Sequence, residues 1–260
     1  MREGAPPRRV RRGASILPSL FTTGNLFLGF WAVVKTYQGN YGEAAPLIGW
    51  AFVLDMLDGR IARLTGTTSE FGGELDSLAD VISFGVAPAL LAYAWAFGTV
   101  PRAGWLAAFL FVVCGALRLA RFNVQRHTID SRYFVGLPIP AAAGQVAALV
   151  HFLPEPIGAR YQAVPVLAVV VTLSFLMVST FRYPSFKSLD LRTRRSYINV
   201  LGIALLFLLI ALHPEWVLLA AASLYSLSAP AVYLVSLTRR SRAAAPSGSD
   251  AREVSEDPVA

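Results

Sequence analysis

Between positions 55 and 80 the chain sets four aspartates, Asp55, Asp58, Asp76 and Asp80, into mostly apolar sequence. A bare carboxylate in a bilayer costs roughly 2.5–3.5 kcal/mol on an insertion scale, so four cost about 10–14 kcal/mol before their mutual repulsion is counted. A bound cation offsets that cost. Oxygen ligands suit a hard divalent ion, Mg²⁺ or Mn²⁺, and a site this acidic suits a pair of them. Asp55, Asp58, Gly59 and Ala62 are spaced i, i+3, i+4, i+7 and share one helix face; Gly72, Asp76 and Asp80, at i, i+4, i+8, share another. Gly59, Ala62 and Gly72 carry little or no side chain, so backbone or a ligand can come close. Arg63 at the lip adds a planar donor fork. Paired metals and an arginine are the means of holding a pyrophosphate. A buried carboxylate network or a proton relay accounts for one aspartate more readily than for all four at this spacing.

Such residues work only if two helices bring them together. The chain of 260 residues is 55% hydrophobic and 15% charged, with mean hydropathy +0.53. That is far more apolar than an ordinary globular domain. The apolar residues fall into eight expected spans, near 16–37, 43–64, 73–97, 103–125, 137–153, 161–181, 197–212 and 215–237. The fold class expected is therefore all-α, a polytopic membrane bundle of about eight helices. A basic arm over residues 1–15 precedes the membrane domain at 16–237, and a polar tail at 238–260, expected to be disordered, comes after it. In this arrangement span two descends and span three rises. Asp55 and Asp80 then lie at a common depth of roughly 12–14 Å. Single Cys114 excludes an intrachain disulfide and reads as a small core residue. The five tryptophans, Trp31, Trp50, Trp95, Trp105 and Trp216, read as lipid-facing or interfacial anchors.

Charge orients the bundle. With eight spans both termini share a side, and that side collects twenty of the 23 basic residues, leaving Lys35, Arg102 and Arg160 on the other. The positive-inside rule makes the rich side cytoplasmic, so the termini and the acidic site face the cytoplasm of the cell membrane. The net charge of +7 reads as contact with anionic headgroups rather than nucleic acid, because the basic residues flank membrane spans.

The full pattern, Asp55, Asp58, Gly59, Ala62, Arg63, Gly72, Asp76 and Asp80, resembles the hallmark motif of the CDP-alcohol phosphotransferase family at all eight fixed positions. The resemblance implies transfer of a substituted phosphoryl group from a CDP-alcohol to a hydroxyl acceptor, with release of CMP. It implies that Asp55, Asp58 and Asp76 hold metal, and that Asp80 contacts the second metal and acts as general base. It further implies that Gly59, Arg63 and Gly72 line the cytidine diphosphate, with Ser69 and Asn25 beside it. A homodimer is also implied.

Three further segments resemble the phosphatidylserine synthase branch of that family: Arg118 to Asn123, Tyr133 to Gly144, and Phe181 to Lys187. The expected donor is then CDP-diacylglycerol and the acceptor L-serine. A serine carboxylate wants an arginine fork or a helix N-terminus. Arg118 and Arg121, three apart, could share that task, with Asn123 offering an amide and Arg182 and Lys187 further charge. Flank charges of a membrane span explain the same basic residues without any ligand. Rival functions are the same chemistry with glycerol 3-phosphate, inositol phosphate or an amino alcohol, a cation-coupled transporter, and a non-catalytic lipid-binding homologue. A transporter would give no reason for the spacing of Gly59, Ala62 and Arg63.

Overall fold

Long apolar runs with few helix breakers dictate helices here, and the structure, a computed structural model, places them close to the expected limits. It describes residues 16–65, 69–125, 133–184 and 196–243. In order come α1 (Ile16–Tyr37), α2 (Tyr41–Thr65), α3 (Glu70–Asp80), a π-helical stretch (Val81–Val86), α4 (Ala87–Ala96), α5 (Pro101–Gln125), β1 (Tyr133–Val135), α6 (Ile139–Phe152), α7 (Arg160–Val178), β2 (Arg182–Pro184), α8 (Ser196–Leu212) and α9 (Pro214–Ala243). Counting Glu70–Ala96 as one run, the described residues form eight helical units. Four of these are long and apolar enough to cross a membrane: Glu70–Ala96, Pro101–Val124, Arg160–Val178 and Pro214–Tyr233. The arm and most of the tail lie outside the described residues.

The breaks between helices have local causes. At the end of α1, Gly39 takes φ +79. Its N–H bonds the Thr36 carbonyl at 3.0 Å, and the Asn40 N–H bonds the Lys35 carbonyl at 2.9 Å, the paired bonds of a Schellman stop. α3 begins on Ser69, whose Oγ accepts from the Gly72 N–H at 3.0 Å. α6 opens with Pro138 at its cap and Pro140 just inside, where a missing N–H costs nothing.

Packing reflects the demands of lipid. Many large apolar side chains face outward, Phe27, Trp50, Phe109 and Phe175 among them, while alanines dominate the core: Ala32, Ala44, Ala45, Ala51, Ala87 and Ala92. Small inward residues let helices approach closely, which is how helices associate where lipid removes the hydrophobic drive. α1 runs along α2, α5 along α7, and α6 is held between α2 and α9. Trp95 departs from the anchor expected of it. It is 1% exposed, and its indole N–H donates to the carbonyls of Leu153 and Glu155, tying α4 to the chain after α6. A two-stranded antiparallel ribbon, unforeseen in the apolar pattern, pairs Tyr133 with Pro184 and Val135 with Arg182. Gly136 leaves it at φ +81, where an added Cβ would collide with the Met177 carbonyl. Its N–H bonds Phe181 O at 2.8 Å, and the Leu137 N–H bonds Leu176 O at 2.9 Å, so the ribbon is locked to the end of α7.

Candidate active site

α2 and α3 both pack on α1, and their aspartates meet. One carboxylate oxygen each from Asp55, Asp76 and Asp80 lie within 4.8 Å of one another. Three carboxylates so close repel strongly unless a cation sits among them, and an all-oxygen donor set fits a hard divalent ion. Asp58 stands apart from this triad. It is 5% exposed, accepts a hydrogen bond from Thr22 Oγ1 at 3.1 Å, and remains within electrostatic reach of Asp55 and Asp76. The donor set therefore fits divalent metal, with Asp58 flanking the tight group rather than joining it.

Asp80 is 8% exposed and is the most enclosed of the triad. Asn25 of α1, fully buried, points its amide Nδ2 at Asp80 Oδ1, 3.4 Å away. That places Asn25 against a carboxylate, whereas the resemblance implies a position beside the nucleotide. Directly after Asp80 the helix widens into the π stretch. Ser83 there donates through Oγ to the Asn25 carbonyl at 3.0 Å. A Cβ on Gly29 would come within 2.6 Å of Ser83 Cα, so only glycine lets α1 press against the π stretch. π stretches concentrate at functional sites, and this one fixes where α3 stops and how the chain leaves Asp80.

Around the carboxylates, Gly59 faces open space where a side chain would project. Gly72 adjoins Ser69, and the Ser69 hydroxyl is occupied as the cap of α3, so it shapes the α3 entrance. Arg63 falls on α2, but its side chain lies outside the described residues.

The two arginines of α5 separate. Arg118 lies over Phe122, with Cζ 5.6 Å from the ring centroid, and within electrostatic reach of Asp80 and Asp55. Arg121 turns instead to the end of α7, donating through Nη1 to the Val178 carbonyl at 3.4 Å. The spacing alone predicts that it shares a face and a task with Arg118; the end of α7, which leaves carbonyls without helix partners, draws it away. Asn123 donates to Ser77 Oγ at 2.9 Å and so braces α3 from α5. Arg182 contributes its backbone to β2 and its side chain lies outside the described residues, as does the whole of Lys187.

Sequence reasoning missed Thr22, Ser77 and Ser83. Thr22 had a signal, since it precedes Asn25 by three on α1.

Comparison with known proteins identifies the family. The family model for CDP-alcohol phosphatidyltransferase matches residues 15–180. A CDP-diacylglycerol–serine O-phosphatidyltransferase of Helicobacter pylori is 41% identical over 198 residues, 74% of this chain and 81% of the relative. The protein of that name from Bacillus subtilis is 38% identical over 172 residues, 66% of this chain and 91% of the relative. That from Methanocaldococcus jannaschii is 41% identical over 140 residues, 54% of this chain and 63% of the relative.

Proposed function

The chain belongs to the CDP-alcohol phosphatidyltransferase family and is an integral membrane enzyme; on that premise we propose that it transfers the phosphatidyl group of CDP-diacylglycerol to the hydroxyl of L-serine, giving phosphatidylserine and CMP. The observation that carries this reading is the convergence of Asp55, Asp76 and Asp80 within 4.8 Å, with Arg118 in electrostatic reach of Asp80 and Asp55. The names and identities of the relatives support serine as the acceptor.

Asp55, Asp76 and Asp80 would hold divalent metal, Mg²⁺ or Mn²⁺, with Asp58 beside them. Bound there, metal supplies charge neutralisation at the donor's phosphate oxygens. Gly59 and Gly72 leave room for the diphosphate, and Arg63 adds a fork to it. Arg118 receives the serine carboxylate. Asp80 takes the hydroxyl proton as the serine oxygen bonds to the diacylglycerol-bearing phosphorus. The bond from that phosphorus to the bridging oxygen breaks in line, and CMP leaves with that oxygen. Asn25 holds Asp80 in orientation, which costs less than reorganising a free carboxylate during the step.

The positive-inside count supports a site and termini on the cytoplasmic face of the cell membrane, where serine is supplied. The family resemblance supports a homodimer. The deciding experiment incubates the purified protein with CDP-diacylglycerol, Mn²⁺ or Mg²⁺, and serine. CMP together with a new aminophospholipid is expected; CMP only with a different alcohol keeps the family and rejects serine.

A further inference from the structure

The buried stripe of α1 runs Thr22, Asn25, Gly29, Ala32 and Thr36, three and four residues apart, and is the face this helix turns to its neighbours. A threonine within a helix can satisfy its hydroxyl on its own backbone, four residues back. Thr23 does so on Ser19, Thr36 on Ala32 and Thr172 on Ala168, at 2.7, 2.8 and 2.7 Å. Thr22 reaches across to another helix: its Oγ1 donates to Asp58 Oδ2 of α2 at 3.1 Å. Both residues are 5% exposed. The two helices touch closely here, since a Cβ on Gly24 would come within 3.0 Å of Leu54 Cδ1. Asp58 follows Asp55 by three residues on α2, yet it does not join the tight group of Asp55, Asp76 and Asp80. One turn further along the same stripe, Asn25 bonds Asp80 of α3 at 3.4 Å. α1 thus holds one carboxylate from each of the two helices that build the site.

We propose that Thr22 is a positioning residue for the metal site: its hydroxyl holds one oxygen of Asp58 and so presets the other as a ligand for divalent cation beside Asp55, Asp76 and Asp80. A carboxylate held by one oxygen cannot turn freely about its last bond. The cation then meets an oriented ligand, and binding need not order a loose one. Hydrogen-bond partners of metal-ligating carboxylates act in this way, and losing one weakens metal affinity. The fourth aspartate of the pattern then depends on a threonine of α1, outside the two helices that carry the aspartates. This rests on the metal reading of the site given above, and not on the identity of the acceptor.

The test is a calorimetric titration of the purified full chain with Mn²⁺, without substrates, on wild type, Thr22→Val, Thr22→Ser and Thr36→Val. Valine keeps the shape of threonine and removes the donor, serine keeps the donor, and Thr36 is an equally buried threonine whose hydroxyl bonds its own helix. The expected result is a Mn²⁺ Kd raised about tenfold in Thr22→Val, within about threefold of wild type in Thr22→Ser, and unchanged in Thr36→Val. Thr22→Ala, which also removes the hydroxyl, is expected to give the same shift and carries the comparison should Thr22→Val not fold. Wild-type affinity in Thr22→Val overturns the role of Thr22 alone. Thr22→Ser binding no better than Thr22→Val, or an equal loss in Thr36→Val, assigns the loss to packing and overturns it too. A wild type that does not bind Mn²⁺ saturably overturns both this role and the metal reading.

Discussion

At the end of the bundle where α4 meets the chain after α6, the Trp95 indole bonds two carbonyls at 2.9 and 2.8 Å, and a Cβ on Gly104 would overlap the Phe97 ring. At the acidic end Asn25 reaches Asp80 at 3.4 Å while its own buried Oδ1 has no hydrogen-bond partner, Gly59 faces open space, and three carboxylates crowd within 4.8 Å. The same run, Glu70–Ala96, contributes to both. Close packing and satisfied polar groups stabilise the first region. The second leaves a buried amide oxygen unpaired, open space beside Gly59 and like charges side by side. Functional sites are commonly built against stability, with the remainder of the fold supplying the deficit.

Substitutions at the two ends should therefore separate activity from stability. Asp80→Asn should lower turnover by about 10³-fold while CDP-diacylglycerol binding persists, since it removes the proton acceptor and leaves the shape. Turnover near wild type in a purified sample would remove Asp80 from its role as base. Trp95→Ala should do the converse, costing about 3–5 kcal/mol in unfolding while leaving kcat per folded molecule intact. Loss of kcat at full stability would erase the distinction between the ends. Asn25→Ala should reduce kcat about tenfold with little change in melting temperature, because it frees Asp80 to turn. A large fall in melting temperature would move Asn25 into the structural group. Ser69→Ala, the smallest effect, should cost about 1 kcal/mol through loss of the α3 cap. A selective rise in the CDP-diacylglycerol KM instead would make Ser69 a nucleotide contact.

The stable scaffold was legible in the sequence to within a few residues, because a membrane span is written in a continuous apolar run. The acidic site was legible for a related reason: Asp55 and Asp58 on one helix, and Asp76 and Asp80 on the next, declare their shared faces by local spacing. What escaped depends on contacts between distant positions. Arg118 and Arg121 have the same spacing relation as Asp55 and Asp58, yet the open carbonyls of α7 draw only Arg121. Trp95 resembles the lipid-facing tryptophans until the carbonyls of Leu153 and Glu155 are seen beside it. The π stretch after Asp80 has no composition of its own; it accompanies the close approach of Gly29 to Ser83. Thr22 reaches Asp58 across 36 positions, a pairing that no periodicity encodes.

The central claim is that α2 and α3 converge to make one cation site. Mn²⁺ binding monitored by electron paramagnetic resonance on the purified protein, without substrates, reads this apart from any turnover. Saturable binding by the wild type, lost in both Asp55→Asn and Asp76→Asn, is the result expected of one site built by two helices. Binding retained in either variant at wild-type affinity would contradict it.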